Sequence, residues 1–430
     1  MTLTGTRTYV GFGFGAIQSG LLLYEAFHSN AFHRLVVAEV MPHVVSAIRR
    51  AGGHYFVNIA HPDHVERAHV GPIEIQDPAV EADRQHLIEA IAQAEEIGTA
   101  VPSVEYYMST GQGSLHRILA DGLEQKALRG GPRAVVYAAE NHNQAAEILQ
   151  AQVMGEIPKE KRPAVGSYVQ FLDTVIGKMS QVVVDPAEIQ TRELRTITPD
   201  LERAFLVESF NRILISRARF EESFQRGIAV FEEKDDLLPF EEAKLYGHNA
   251  THALAGYIGA IVRVQRVMDL VEIPGIVPFL RAAFIEESGE ALIRKHHAID
   301  ALFTREGYRE YADDLIERMM NPFLKDTIER VTRDPGRKLG WNDRLIGTMR
   351  VALANGVQPR RYALGAAAAL VAMNHSTLDS ETPIEPILHA LWSEASPSNH
   401  ERGSVLGLIE DARRRLQDWR QAGFSNLILF

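Results

Sequence analysis

The sequence predicts an α/β unit built on a doubly wound, mostly parallel sheet, followed by an all-α unit. Three observations carry this. Short apolar runs alternate with helical stretches through the first half. A glycine-rich turn joins the first run to the first helix. Beyond about residue 200 the apolar spacing is helical almost without interruption. The 430 residues suffice for two domains. A boundary is expected near 195, giving residues 1–195 and 196–430.

The elements follow in order. Arg7 to Gly13 is the first strand, and Ala16 to Phe27 the first helix. Arg34 to Val40 is the second strand. Pro42 to Ala51 has Val44, Val45 and Ile48 at helical spacing, and Gly52-Gly53 stops it. Arg133 to Ala139 and Gln181 to Pro186 read as further buried strands. Residues 201–215, 240–267, 277–295, 308–320, 344–355, 361–373 and 401–421 read as helices, punctuated by prolines such as Pro239, Pro322 and Pro359.

Composition narrows the chemistry. Lys plus Arg is 45 and Asp plus Glu is 56, a net charge of −11, which argues against general binding to nucleic acid or an anionic membrane. The absence of cysteine removes disulfides, thiolate metal sites and a cysteine nucleophile. Positions 10–27 are interrupted by four glycines, Gln18 and Glu25, so no export signal or membrane span is expected there, and a cytoplasmic location is. No sustained heptad demands a partner, so a monomer or weak oligomer is expected.

The turn Gly11-Phe-Gly13-Phe-Gly15-Ala16-Ile17-Gln18 stands where a Rossmann-type dinucleotide fingerprint belongs. Glycines let the backbone approach a pyrophosphate, and free helix N–H groups then face the anion. Two phasings compete: Gly11-x-Gly13-x-x-Ala16, and Gly13-x-Gly15-x-x-Gln18 in better strand register. Glu39, after the second strand, is placed to bind ribose hydroxyls and to repel a 2′-phosphate, which favours NAD over NADP.

In the helical half, Lys244, Asn249 and His252 fall within an arc of about 140° on an otherwise apolar helix at about 100° per residue. A buried lysine of lowered pKa can move a hydroxyl proton. An amide can donate to a developing alkoxide. An imidazole can orient a substrate. The competing reading is a surface lysine with Asn249 capping a helix after a break near Gly247.

K-x4-N-x2-H on such a helix resembles the polyol-specific long-chain dehydrogenases, the mannitol dehydrogenase family, most nearly its mannitol-1-phosphate 5-dehydrogenase branch. Residues 284–293 are similar to that branch's EESG helix, residues 321–331 and 337–345 to its NPxLKDxxERV and RKLxxxDRL segments, and Ala139-Glu140-Asn141 to its CEN motif. The resemblance spans residues 8 to about 370. It implies a C-terminal domain of the 6-phosphogluconate-dehydrogenase type and NAD-dependent interconversion of a polyol and a ketose. Mannitol 1-phosphate and fructose 6-phosphate are the first expectation. A hexuronate reductase, an unphosphorylated polyol dehydrogenase, and a nucleotide-binding homologue without turnover are the alternatives.

The resemblance further implies Lys244 as acid/base with Asn249 and His252 as partners. It implies Gly13, Gly15, Ala16, Ile17, Glu39, Gly111 and Asn141 at the cofactor, and Asn141 and Lys178 at the substrate. Two positions depart from the family. Gln18 replaces a glycine of the first turn, and Gly177-Lys178 stands for an Asp-Arg pair, which implies altered substrate contacts.

Lys325, Arg330, Arg333, Arg337, Lys338 and Arg344 form a basic stretch with acids interleaved. Arg337, Lys338 and Arg344 are the candidates for a phosphate end-group. His296-His297 are adjacent, so they point about 100° apart and no metal site is expected. His142, His248 and His375 are expected to be polar wall residues, and the Asp411 region a solvated helix face.

Overall fold

The computed structural model describes residues 6–373, 383–425 and 427, so His375 lies outside the described residues. The chain forms two compact units, Met1–Leu237 and Leu238–Phe430.

Among the described residues, unit one holds twelve strands: β1 (Arg7–Phe12), β2 (Phe32–Ala38), β3 (Tyr55–Ala60), β4 (Val65–Val70), β5 (Glu74–Gln76), β6 (Glu96–Thr99), β7 (Ala134–Ala138), β8 (Val169–Ile176), β9 (Ser180–Val183), β10 (Ala204–Glu208), β11 (Ile213–Ser216) and β12 (Phe231–Lys234). Eight form one sheet in the order β12-β11-β8-β7-β6-β1-β2-β5. β1 pairs in parallel with β2 on one side and β6 on the other. The winding therefore reverses at β1, and the crevice beyond the carboxyl ends of β1 and β6 is where such sheets bind ligands. Strand periodicity explains how both faces are covered. Tyr9 enters one core with Leu21 and Tyr55, while Val10 and Phe12 enter the other with Ile97 and Leu119.

A second sheet, β4-β3-β10-β9, packs its Tyr55, Val57, Phe205 and Val207 into the first of these cores. The expectation of helix over 201–215 is wrong. Ala204–Glu208 (AFLVE) and Ile213–Ser216 (ILIS) are strands, one in each sheet. AFLVE is buried on both faces, and ILIS, although its burial alternates, begins with three apolar residues, so neither run shows an alternation in sequence that distinguishes it from a helix. These strands extend the α/β unit to Leu237, past the expected boundary at 195.

In unit two the described residues are helical, without a named strand. Its centre is Ala250–Val262, buried at nearly every position from Ala250 to Gly259 and packed on Arg360–Met373 and Ile328–Thr332. The alanine-rich Arg360–Met373 packs in turn on Asn399–Gln421. Two helices widen into π turns, at Ala243–Asn249 and Ala283–Gly289. No helix among the described residues is long and apolar enough to cross a membrane.

Candidate active site

The glycine turn resolves the phasing. Gly13 has φ +86°, and a Cβ there would stand 2.7 Å from the Ala100 carbonyl oxygen after β6. Its N–H donates to Ala38 O at 2.9 Å, joining the ends of β1 and β2. Gly15 immediately precedes the helical turn, and a Cβ on it would meet nothing within 4 Å. Open space thus lies beside Gly15 and the free N–H groups that begin at Ala16 and Ile17, as an anion requires. Gly11 lies within β1. Gln18 fills the room its missing side chain leaves, and Gln18 Nε2 donates to Tyr9 Oη at 2.9 Å. Gln18 is therefore accommodated on the far side of the turn from Gly15.

Glu39 directly follows β2 and is 4% exposed. Burial raises its pKa, and the backbone N–H groups of Met41, Phe14 and Val40 partly offset this. The Met41 N–H donates at 2.8 Å. One edge of the carboxylate thus braces the glycine turn through Phe14. A cavity of about 460 Å³ opens nearby, lined by His43, Val184 and residues 199–203.

Asn141 follows β7 and is exposed, as is His142. Its neighbour Glu140 is 5% exposed and anchors this corner. Glu140 accepts from Thr99 Oγ1 and Val101 N, both at 2.9 Å, and from Tyr107 Oη. The end of β7 is thereby tied to the end of β6, beside the Gly13 turn. Gly111 has φ +106° and no neighbour that a Cβ would touch. Lys178, in the β8–β9 turn, is buried and donates to Phe210 O at 2.7 Å. That ammonium is held by a backbone carbonyl of its own unit.

In the second unit the π turn changes the expected geometry. At α spacing Asn249 would sit about 140° from Lys244. A π turn closes i to i+5, so these residues, five apart, lie closer to a common face than α winding would put them. Gly247 in this turn faces Phe284 and the Tyr308 hydroxyl, an approach that a side chain would block. Asn249 has φ −65° and ψ −33°, within a continuous helix, so it is not a cap at a break. Burial, and then the Arg344 guanidinium, lower the Lys244 pKa to about 8. His248, 6% exposed, is driven well below the ordinary imidazole value by burial and by Arg318, His252 and Lys244. His252 Nε2 lies 2.8 Å from Asp326 Oδ2.

The basic stretch is internally paired. Arg337 meets Asp334 at 3.0 Å and Asp343 at 3.8 Å, and Arg344 meets Asp343 at 2.9 Å. Lys338 is 5% exposed, donates to Arg333 O and lies over the Tyr257 ring. Burial, with Arg344 and Arg337 beside it, lowers its pKa to about 8. His296 pairs with Glu242 at 2.7 Å, while His297 is exposed. Arg414 and Arg415 pair with Asp411 on their own helix.

Residues 236–406 match the family model of the mannitol dehydrogenase C-terminal domain. This unit belongs to the mannitol dehydrogenase family. The match begins where the second compact unit begins and contains Lys244, Asn249, His252, Arg337, Lys338 and Arg344. The fold of the whole chain is similar to that of Pseudomonas fluorescens mannitol 2-dehydrogenase, solved as a ternary complex with NAD and D-mannitol. The TM-score is 0.70 at 16% identity, covering 97% of this chain and 93% of that one. A D-sorbitol dehydrogenase, solved in substrate-free form, has TM-score 0.73 at 15% identity, covering 95% and 94%.

Within the mannitol dehydrogenase domain, two carboxylates escaped the sequence reading as individual residues. Asp326 was expected only among the interleaved acids of the basic stretch, although it follows the apolar run Pro322-Phe-Leu324. Glu287, in the EESG segment, is 2% exposed and accepts from the N–H groups of Arg361 (2.8 Å) and Tyr362 (3.1 Å) at the start of Arg360–Met373. Burial raises its pKa to about 7, against these donors and Arg361. The folded state thus holds a proton that the unfolded chain has released above pH 4.5. The contribution is present below about 4.5 and is lost as pH rises through 7, about 3 kcal/mol in all. Urea melts at pH 5 and pH 8 should therefore show the stability of Glu287→Gln rising relative to wild type with pH. A constant difference would remove Glu287 from the account.

Proposed function

We propose that the protein is an NAD(H)-dependent polyol dehydrogenase in which Lys244 is the general acid/base. The observation carrying this reading is the π turn of a mannitol dehydrogenase domain, which turns a lysine of pKa about 8 toward the face of Asn249, near His252. Above that pKa the neutral amine accepts the proton of a carbinol hydroxyl. Below it, the ammonium returns a proton to a ketone oxygen. Asn249 donates to the oxygen as negative charge develops on it, and His252 orients a neighbouring hydroxyl.

The residues of the first unit fit a dinucleotide. Gly13 and Gly15 leave room for the pyrophosphate, and the N–H groups at Ala16 and Ile17 face it. Glu39 holds the ribose end and disfavours a 2′-phosphate, hence NAD rather than NADP. Gly111 and Asn141 complete the set. When bound, the nicotinamide supplies the two-electron redox chemistry. Lys178 is the proposed substrate contact from this unit.

For the substrate, the leading pair is mannitol 1-phosphate and fructose 6-phosphate, with Arg337, Lys338 and Arg344 at the phosphate. A second reading, an unphosphorylated polyol, is favoured by one observation: Arg337 and Arg344 already share Asp334 and Asp343. NADH oxidation followed at 340 nm with fructose 6-phosphate, fructose, fructuronate and tagaturonate separates these. Turnover confined to fructose 6-phosphate supports the phosphate reading, and turnover of fructose supports the second. NADH binding without turnover of any ketose would overturn the enzyme reading and leave a nucleotide-binding protein.

A further inference from the structure

His252 occupies a face of Ala250–Val262 that continues through Gly256 and Gly259, at i+4 and i+7. The two glycines seat another segment. A Cβ on Gly256 would stand 2.5 Å from Val331 Cγ1, and one on Gly259 2.5 Å from Ile328 Cδ1. Helix Ile328–Thr332 therefore lies directly on this face, capped by the Thr327 hydroxyl. Just before it, Lys325 adopts φ +46°, and Asp326 is locked to Val267 by a 2.9 Å backbone bond. This turn delivers the Asp326 carboxylate to His252.

Asp326 is 7% exposed. Arg330 grips both of its oxygens, Nε to Oδ1 and Nη2 to Oδ2, each at 2.6 Å. Oδ2 is shared with His252 Nε2 at 2.8 Å in a bent approach. Burial alone would raise the Asp326 pKa, but His252 and Arg330 outweigh it and hold the group at about 2. It is therefore ionised throughout the working pH range. A fixed, ionised acceptor beside Nε2 keeps the proton on that nitrogen and leaves Nδ1 for another partner.

We propose that Asp326 is a positioning residue, gripped by Arg330, that sets the tautomer and orientation of His252 so that Nδ1 is presented to the substrate hydroxyl beside the reacting carbon. The proposal rests on the dehydrogenase reading for its substrate and on geometry alone for the imidazole. Two experiments test these separately. The first needs no substrate. In ¹⁵N-labelled wild-type protein between pH 6.5 and 8, His252 should carry its proton on Nε2, either as the neutral tautomer or as the imidazolium. A neutral ring protonated on Nδ1 would overturn the proposal.

The second is a double-mutant cycle on kcat/KM for the ketose that gives turnover, with NADH affinity measured in parallel. Asp326→Asn should lower kcat/KM by about 10–100-fold, the loss expected when a close charged partner is removed. NADH affinity should stay unchanged, and Asp326→Glu should recover part of the loss. In a His252→Asn background, Asp326→Asn should then cost little more, because it acts through that ring. Fully additive losses, or wild-type kinetics in Asp326→Asn, would overturn the assignment. If the Asn variant does not fold, Asp326→Glu carries the same cycle. Failure of the dehydrogenase reading shows differently, as NADH binding by the wild-type protein without turnover of any ketose.

Discussion

Lys244→Ala should lower turnover by about 10²–10⁴-fold, the usual contribution of a positioned acid or base, while the Kd for NADH changes little. The dissociation follows from where the residues lie. Lys244 is on the π turn Ala243–Asn249 of the helical unit, whereas the glycine turn is in the α/β unit. The pH dependence adds a second, independent signature. With its pKa lowered to about 8, Lys244 is mostly protonated at pH 7 and mostly neutral at pH 9. In kcat/KM, polyol oxidation should rise through pH 8 and ketose reduction should fall through it, and both dependences should vanish in the variant. Undiminished turnover in Lys244→Ala would eliminate the assigned role.

Gly13→Val should have the opposite pattern. Its φ of +86° costs a β-branched residue about 1–3 kcal/mol, and the new Cβ would press on the Ala100 carbonyl. Both effects distort the junction of β1, β2 and β6. The melting temperature should fall, and the Kd for NADH should rise at least about tenfold, since 1.4 kcal/mol is tenfold in affinity. Gly15→Val separates fold from ligand. The protein leaves open space there, so melting should hold while NADH binding weakens. If both variants bind NADH like wild type, the dinucleotide site is not at this turn.

The parts of the chain legible in advance share a local signal. β1, β2 and β7 are short apolar runs bounded by glycine or loop residues, and Pro42–Arg50 ends at two glycines of positive φ. The long helices of the second unit follow from spacing and proline punctuation. β10 and β11 were hidden because their identity comes from distant partners. β10 pairs with β3, and β11 with β8. Neither partner leaves a trace in the run AFLVE or ILIS itself.

At the candidate site, residue types were readable and their pairing was not. Lys244, Asn249 and His252 stand out because polar groups interrupt an apolar helix. Asp326 does not, since 74 positions separate it from His252 and its neighbours Lys325 and Arg330 suggest local pairing. Its use depends on how Ile328 and Val331 seat on Gly256 and Gly259. Arg337 and Arg344 were readable as cations, but not as the partners of Asp334 and Asp343.

The widened turn at 243–249 has a consequence for how this chemistry could arise or disappear. A π turn is an α-helix carrying one surplus residue. Loss of a single codon between Lys244 and Asn249 would restore ordinary helical winding and leave the amine and the amide four apart, about 40° from each other on one face, without altering either side chain or the apolar pattern beyond. The proton-transfer pair is in this sense compatible with either count of residues. A search keyed to regular helical spacing would pass over it.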